Sequence, residues 1–264
     1  MSASSAPRRP RSDIRLSLIF APGQRPSADD VRRWAEIRPG RAPGFAIHEV
    51  EPSSGNLELL VSGMAFNVVG LAPASPAPLP EVAHYYGFTQ KPVFTAGEAI
   101  TLTPGEQLRG MEHLLPVVRA LAGVAARLVA LSDVMAPDLM APNPIAVAWH
   151  PARCAMAPTA FAIVTGNWLN GGAFPALGLT ALFRDSAGAM CSEGLAFFIG
   201  RELRIEPDIG ISTSVNAKIA TRLINHLVGC GPIHQPFEFL GPNDEHLSVE
   251  PVGDDGFLRV WRSS

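Results

Sequence analysis

The chain has 264 residues, of which 47% are hydrophobic and 17% charged, and its formal net charge is −3. This composition provides apolar material for a sizeable core and is the opposite of that of a disordered chain. Because the slight negative charge offers no overall basic field, we expect neither nucleic acid nor an anionic membrane surface as a partner.

The first twelve residues contain three arginines among serine, alanine and proline, and we predict a disordered, solvated tail there. The apolar run Ile14–Ala21 that follows is shorter than the core of a signal peptide and contains an arginine. Cys154, Cys191 and Cys230 are an odd number of widely spaced cysteines. That pattern favours reduced thiols and a cytoplasmic location over a disulfide framework.

The first part of the chain predicts a strand, a helix and two paired strands. Ile14–Phe20 alternates and ends just before a Pro-Gly pair, as strands do. Ser27 precedes two aspartates and a helical apolar periodicity, which indicates a capped amphipathic helix. Gly44–Glu51 and Leu57–Val69 are predicted strands, joined by a turn at Ser53–Asn56.

The middle of the chain predicts two helices, a strand and a loop. A proline-rich stretch leads to a short predicted helix around Glu81–Tyr86, and a strand is predicted at Glu98–Leu102. A long helix is predicted over Glu106–Leu131, where charged residues recur too often for a membrane span. Ser132–Pro144 is predicted to be a loop, and we place the boundary between two halves there.

The second half repeats the order of the first. Its predicted elements are a strand at Ile145–His150, a helix at Pro158–Leu169, a strand at Gly178–Arg184, one long or two short strands within Ser192–Glu206, a helix at Ser212–Leu227 and a strand at Phe257–Arg262. Gly194–Pro207 carries the clearest strand signal, because charged and apolar residues alternate there. The sequence therefore predicts an α+β fold, with antiparallel sheets, helices packed on one face and two pseudo-repeated β-α-β-β units. We expect a single domain over residues 13–262, with sub-halves 13–132 and 145–262.

Several segments carry a resemblance to a known family. They are Ile145–His150, Pro158–Phe161, Leu177–Asp185, Gly194–Ile205 and Leu227–Gly231. On these segments the chain resembles the bacterial domain-of-unknown-function family DUF4261, over residues 13 to 262. The resemblance implies no established activity, cofactor or site residue. Family members are similar in genomic style and size to proteins that accompany bacterial toxin and secretion systems, which is an analogy.

The side chains that most often carry chemistry do not form a familiar motif. His150 and Cys154 lie four residues apart, but the sequence lacks the closely spaced ligand pairs of zinc sites. Cys191 falls in a predicted hairpin turn, and Cys230 lies at a predicted helix end, where the helix dipole disfavours a thiolate. We therefore predict no catalytic, metal or cofactor site.

Acid–base chemistry is the alternative that the residue pattern leaves open. His48 lies on one face of a predicted strand, and Glu49 and Glu51 lie on the other. Asp133 and Asp138 lie in the predicted loop between the halves. An enzyme of unrecognised type, with a polar site between the halves, would draw on such residues.

Aromatic residues favour a binding function instead. Tyr85, Tyr86 and Phe88 form the candidate protein interface, because tyrosines on connecting segments anchor many interfaces. Trp149 and Trp168 are expected in the core. We predict a cytoplasmic bacterial protein that binds another protein, as an immunity or accessory factor of a toxin or secretion system. An enzyme and a homo-oligomeric structural protein are the two alternatives.

Overall fold

The computed structural model describes residues 14–37, 45–51, 55–139, 143–207, 212–253 and 256–262. The predicted disordered tail lies outside the described residues. The structure contains 32% helix and 32% strand, in two sheets dominated by antiparallel pairs, which confirms the predicted α+β fold. The chain forms two compact units, residues 13–172 and residues 173–264.

The division between the units does not fall in the predicted loop Ser132–Pro144. It falls between residues 172 and 173. The strand Pro144–Trp149 pairs with the first strand of the chain, so the segment after the predicted loop completes the first sheet. The predicted sub-halves 13–132 and 145–262 therefore do not coincide with the two units.

The first unit is built on an eight-stranded sheet. Its strands are Leu16–Phe20 (β1), Ala46–Glu51 (β2), Asn56–Val61 (β3), Met64–Val69 (β4), His84–Tyr86 (β5), Glu98–Pro104 (β6), Pro144–Trp149 (β7) and Cys154–Met156 (β8). Their spatial order is β2-β3-β4-β6-β1-β7-β8-β5, and the neighbours are antiparallel except for β8 and β5, which run parallel. The strand β5 is therefore the last of the sheet at one margin.

Three helices accompany this sheet, namely Ala28–Glu36 (α1), Leu115–Leu139 (α2) and Pro158–Leu169 (α3). The predicted cap of α1 is present, since Ser27 Oγ accepts from the Asp30 amide at 3.2 Å and the Asp30 carboxylate accepts from the Ser27 amide at 2.8 Å. Helices α2 and α3 contact each other and the central strands. Both predicted core tryptophans are buried, Trp149 in β7 and Trp168 in α3.

The strand register separates the two faces of the sheet. Leu16 lies opposite Trp149, whereas Ser17 lies opposite Thr101. Because paired residues share a face, one face carries large apolar side chains and the other carries small and polar ones. Side chains on and around β5 cover part of the second face.

Two predicted elements before β6 are wrong. Leu57–Val69 is a hairpin of two strands rather than one strand, because Ser62 and Gly63 form a turn with φ angles of 51° and 78°. The predicted helix at Glu81–Tyr86 is instead extended and ends in β5. Consecutive tyrosines favour such extended structure.

The helix α2 differs from its prediction at both ends. A 3-10 turn, Glu106–Leu108, occupies the predicted start, and Gly110 with a φ of 83° separates it from the helix proper. At the other end α2 continues through Leu139, so the predicted loop at Ser132–Pro144 is largely helical. Met135, Ala136 and Leu139 are good helix formers, and a helix already begun extends more readily than one that must start anew.

The second unit is built on a six-stranded sheet. Its strands are Ala181–Arg184 (β9), Met190–Glu193 (β10), Glu202–Ile205 (β11), Phe237–Leu240 (β12), His246–Pro251 (β13) and Phe257–Arg262 (β14), and its helices are Ala176–Leu179 (α4), Leu195–Ile199 (α5) and Thr213–Cys230 (α6). The spatial order is β12-β13-β14-β11-β10-β9, with β11 and β14 parallel. Helix α6 contacts β10 and β11 and buries its apolar face.

The segment with the clearest strand signal contains a helix. Gly194 and Gly200, with φ angles of 94° and 83°, bracket the short helix α5. The predicted strand over Gly194–Pro207 is therefore wrong in its first part, and only β11 keeps the extended alternation.

The Glu202 carboxylate holds the start of α5. It accepts hydrogen bonds from the Ser192 hydroxyl at 2.5 Å and from the amides of Gly194, Leu195 and Ala196 at 2.8, 3.1 and 3.0 Å. These amides are the donors that a helix leaves unsatisfied at its first turn. The carboxylate therefore ties the helix to the strand that follows it.

Candidate functional site

The predicted interface residues lie at the margin of the eight-stranded sheet. Tyr85 and Tyr86 belong to β5, and Phe88 follows directly after it. Tyr85 and Phe88, together with Lys91 and Val93, form what we term the β5 edge surface. These four residues lie within nine consecutive positions, 85 to 93, so a short segment positions the whole surface.

The backbone of β5 is bonded on one side to β8. The His84 amide donates to the Arg153 carbonyl at 3.0 Å, and the Tyr86 carbonyl accepts from the Ala157 amide at 2.9 Å. Successive residues of a strand direct their N–H and C=O groups to opposite sides. The N–H and C=O of Tyr85, between them, are therefore directed away from β8.

An aromatic cluster anchors this segment. The Tyr85 ring lies 6.3 Å from Phe88 in a T-shaped arrangement and 6.4 Å from Phe94 in a stacked one. Lys91 Nζ lies 4.6 Å from the Tyr85 ring centroid, within cation–π range. The cluster packs on small and apolar side chains of the sheet, namely Ile19, Ala146, Ala148 and Ala155.

The structure brings two of the three predicted interface residues together. Tyr85 and Phe88 share the cluster, whereas Tyr86, the next residue along β5, points to the opposite face of the sheet. Val93 was not predicted and is 78% exposed. The available signal in the sequence was the position of this valine directly before Phe94, whose ring stacks on Tyr85.

A group of polar side chains lies on the small-residue face of the same sheet. Ser17 Oγ is 2.7 Å from Thr101 Oγ1 and 2.8 Å from His150 Nε2. Ser17 and Thr101 are buried, and His150 is half-buried. When Nε2 is the acceptor tautomer, Thr101 donates to Ser17 and Ser17 donates to His150.

This group suits an anchoring role better than nucleophilic chemistry. Ser17 is 0% exposed, so its hydroxyl cannot meet a substrate without rearrangement of the sheet. The two hydroxyls hold the imidazole of His150 at the end of β7. Sequence reasoning missed Ser17 and Thr101, although a serine inside the apolar run of β1 was the available signal.

The residues of the predicted acid–base alternative are only partly described. His48 Nδ1 lies 3.3 Å from Glu58 Oε1 on the neighbouring strand β3. The side chains of Glu49, Glu51, Asp133 and Asp138 lie outside the described part of the chain. A polar site built from them stays a prediction.

The second unit carries a charged network on its sheet. The Arg204 guanidinium pairs with the Asp185 carboxylate, and Arg204 Nε donates to Glu206 at 3.0 Å. The hydrogen bond from Arg204 holds the pKa of Asp185 below its usual value. Cys191 Sγ lies 3.8 Å from Arg204 Nη1 and 4.0 Å from Asp185 Oδ2.

The predicted location of Cys191 is wrong. It lies within β10 rather than in a hairpin turn, and it is buried. Burial raises the pKa of its thiol, which keeps the sulfur protonated. Cys154 is also buried, in β8, where its sulfur lies 3.8 Å from the Ala155 carbonyl.

Two further observations concern the described residues only. In that part of the chain, His, Cys, Asp and Glu side chains do not gather in groups of three or more that could hold a metal ion. Its helices include none that is long and apolar enough to cross a bilayer.

The sequence and the structure were compared with known protein families, curated proteins and solved structures, and the chain matches none of them.

Proposed function

We propose that this protein functions by binding another protein through the β5 edge surface. The observation that carries the proposal is the 78% exposure of Val93 next to an aromatic cluster packed on the sheet. An exposed apolar side chain on an anchored segment loses little conformational entropy when a partner covers it. Such preorganised anchors account for much of the affinity of protein interfaces.

The margin of the sheet favours an extended segment as the part of the partner that binds. The outward N–H of Tyr85 would donate a backbone hydrogen bond and its outward C=O would accept one, as in pairing with an added strand. Val93 would supply an apolar contact, and the exposed Lys91 would favour an acidic residue in the partner segment. We therefore propose a partner segment that is extended, apolar at one position and acidic beside it.

We extend the proposal from protein binding to a biological role. By analogy alone, drawn from the resemblance to DUF4261, we propose an immunity or accessory factor of a bacterial toxin or secretion system. Such a factor acts by forming a complex, so its function resides in a surface of this kind.

Photo-crosslinking in the source organism tests the proposal. A photoreactive amino acid replaces Val93 in one variant and Ile163, 63% exposed on α3, in the control variant. We expect a single heterologous protein to be crosslinked from position 93 and not from position 163. Crosslinks from both positions alike, or from neither, would overturn the proposal. A crosslink from 93 to a second copy of the same chain would support the homo-oligomeric alternative instead.

A further inference from the structure

The proline-rich segment between β4 and β5 lies outside the β5 edge surface. We term residues 75–80 the proline ridge, in which three prolines alternate with Ser75, Ala77 and Leu79. A proline ring fixes φ at about −65°, and a residue that precedes proline is restricted to extended and polyproline II conformations. Every residue of the ridge is either a proline or precedes one. The sequence of the ridge therefore favours a polyproline II helix.

The burial of the ridge follows the period of that helix. Ala77 is buried and Pro80 is half-buried, whereas Pro78 and Leu79 between them are both exposed. A strand, with its two-residue period, would turn one of these two inwards. Polyproline II has three residues per turn, so Ala77 and Pro80 share the side that faces the protein. Pro76 and Leu79 then share an outward side, where Leu79 is 37% exposed.

Hydrogen bonds hold the ridge on the first unit. The Ala77 amide donates to the Ala99 carbonyl of β6 at 2.9 Å. Just before the ridge, the Arg25 guanidinium donates to the Ala72 and Pro73 carbonyls at 2.8 and 3.0 Å. The Arg25 side chain is only 4% exposed, so water competes little for these bonds. The ridge is therefore ordered before a partner binds, and binding costs it little conformational entropy.

The chemistry of the ridge limits what can recognise it. Residues 70 to 80 include no charged side chain, so ion pairs with this stretch cannot supply specificity. The amides of Ser75 and Ala77 are bonded within the protein, at 3.1 and 2.9 Å, and proline has no amide hydrogen. Strand pairing needs a row of such donors, so the ridge does not suit it. What the ridge offers is proline rings, an exposed leucine and carbonyl oxygens.

We infer that the proline ridge docks in an aromatic-lined groove of a folded partner domain. Grooves of this kind, as in SH3 and WW domains, bind preformed polyproline II segments. Their aromatic rings pack against proline, and the hydroxyl of tyrosine or the indole N–H of tryptophan donates to the carbonyls of the segment. The ridge shares no residue with the β5 edge surface, so this inference does not depend on the proposed function.

Site-specific photo-crosslinking of the full chain, in a lysate of the source organism, tests the ridge. A diazirine amino acid similar in size to leucine replaces Leu79 in one variant and Ile145, also 37% exposed, in the control variant. A synthetic peptide with the sequence of residues 72–81 is added in excess as a competitor. Its matched control is the same peptide with alanine in place of the three prolines of the ridge.

We expect position 79, and not position 145, to be crosslinked to a partner at a site that contains tyrosine, tryptophan or phenylalanine. The proline peptide should reduce this crosslink about tenfold or more when its concentration exceeds its dissociation constant about tenfold, and the alanine peptide should leave it unchanged. Thermal unfolding followed by circular dichroism shows that both labelled variants are folded before the comparison.

Three results would overturn the inference. The first is the absence of a crosslink from position 79, or equal crosslinks from positions 79 and 145. The second is a crosslinked site on the partner without aromatic residues. The third is an equal effect of the two peptides, which would show that the partner does not recognise the prolines. The two proposals can fail separately, because positions 79 and 93 are labelled in different variants and the peptide corresponds to the ridge alone.

Discussion

The β5 edge surface and the turn from β10 through α5 to β11 are both short, glycine-containing segments, yet they use their side chains in opposite ways. In the turn, the Glu202 carboxylate receives four donors from within the same segment. At the edge, Tyr85 is anchored by apolar and cation–π contacts, whereas Val93 points to solvent. The turn satisfies its own hydrogen-bonding groups, whereas the β5 edge surface leaves an apolar side chain exposed to solvent.

The difference separates structural polar residues from recognition residues. Glu202 is the kind of carboxylate that sequence reasoning can mistake for a catalytic group, but its oxygens are occupied by the fold. Val93 belongs to no recognisable sequence pattern, but its exposure is unusual for a large apolar side chain on an anchored segment. Substitutions in the two regions should therefore affect different properties, the turn affecting stability and the edge affecting binding.

The largest loss of stability is expected from Glu202→Ala. The change leaves the first amides of α5 and the Ser192 hydroxyl without their acceptor, and it should lower the free energy of unfolding by about 3 kcal/mol. Urea unfolding measures this loss. Glu238→Ala, which removes an exposed carboxylate from β12, is the control and should change the same quantity by less than about 0.5 kcal/mol. Equal effects of the two changes would contradict the anchoring role of Glu202.

An intermediate loss is expected from Ser17→Ala. The variant deprives Thr101 and His150 of a shared buried partner, which should lower the free energy of unfolding by about 1–2 kcal/mol. The comparison is Ser248→Ala in β13, whose hydroxyl makes an exposed hydrogen bond to Glu238. A stability loss no greater than that of the control would show that the buried group contributes nothing.

A smaller and pH-dependent effect is expected from Asp185→Asn. Arg204 holds the pKa of Asp185 below its usual value of 3.8, so the ionised carboxylate stabilises the folded state. That contribution is fully present above the unfolded pKa and is lost as the pH falls through the folded pKa. Asp185→Asn should therefore be less stable than the original protein at about pH 6, and the gap should narrow towards about pH 2. A gap that is constant with pH, measured by urea unfolding, would count against the ion pair.

The smallest effect on stability is expected from Val93→Asp. Since the valine side chain is already in solvent, the free energy of unfolding should change by less than about 0.5 kcal/mol. Tyr85→Ala removes the ring at the centre of the cluster and should destabilise the protein by about 2 kcal/mol. Thermal and urea unfolding of the two variants would separate the anchor from the exposed contact. A large loss in Val93→Asp would show that Val93 supports the fold.

Local signals predicted much of the fold. Ser27 caps its helix as predicted, and Ser212 caps α6 in the same way, because a cap involves only residues three positions apart. Sequence patterns failed to predict the structure where contacts between residues far apart along the chain determine it. The partners of Ser17 lie 84 and 133 residues away along the chain, which no local pattern reveals.

The same reasoning explains the wrong elements and why Val93 was not predicted. The alternation predicted one long or two short strands in this region, but the glycines at both ends of α5 allow a turn of helix that Glu202 then holds. Tyr85, Tyr86 and Phe88 were predicted from their residue type to form a protein interface, and that stays a prediction; the structure shows that Tyr85 and Phe88 pack in one cluster. Val93 is distinguished only by its exposure, and exposure depends on how the segment packs on the sheet.

The most direct test of the central claim is the affinity of the crosslinked partner, produced in isolation, for three forms of this protein. Binding to the original chain, to Val93→Asp and to Ile163→Asp would be measured by titration calorimetry. The account predicts that Val93→Asp binds about tenfold or more weakly, while Ile163→Asp binds as the original protein does. Equal affinity of the original protein and Val93→Asp would contradict the assignment of protein binding to the β5 edge surface.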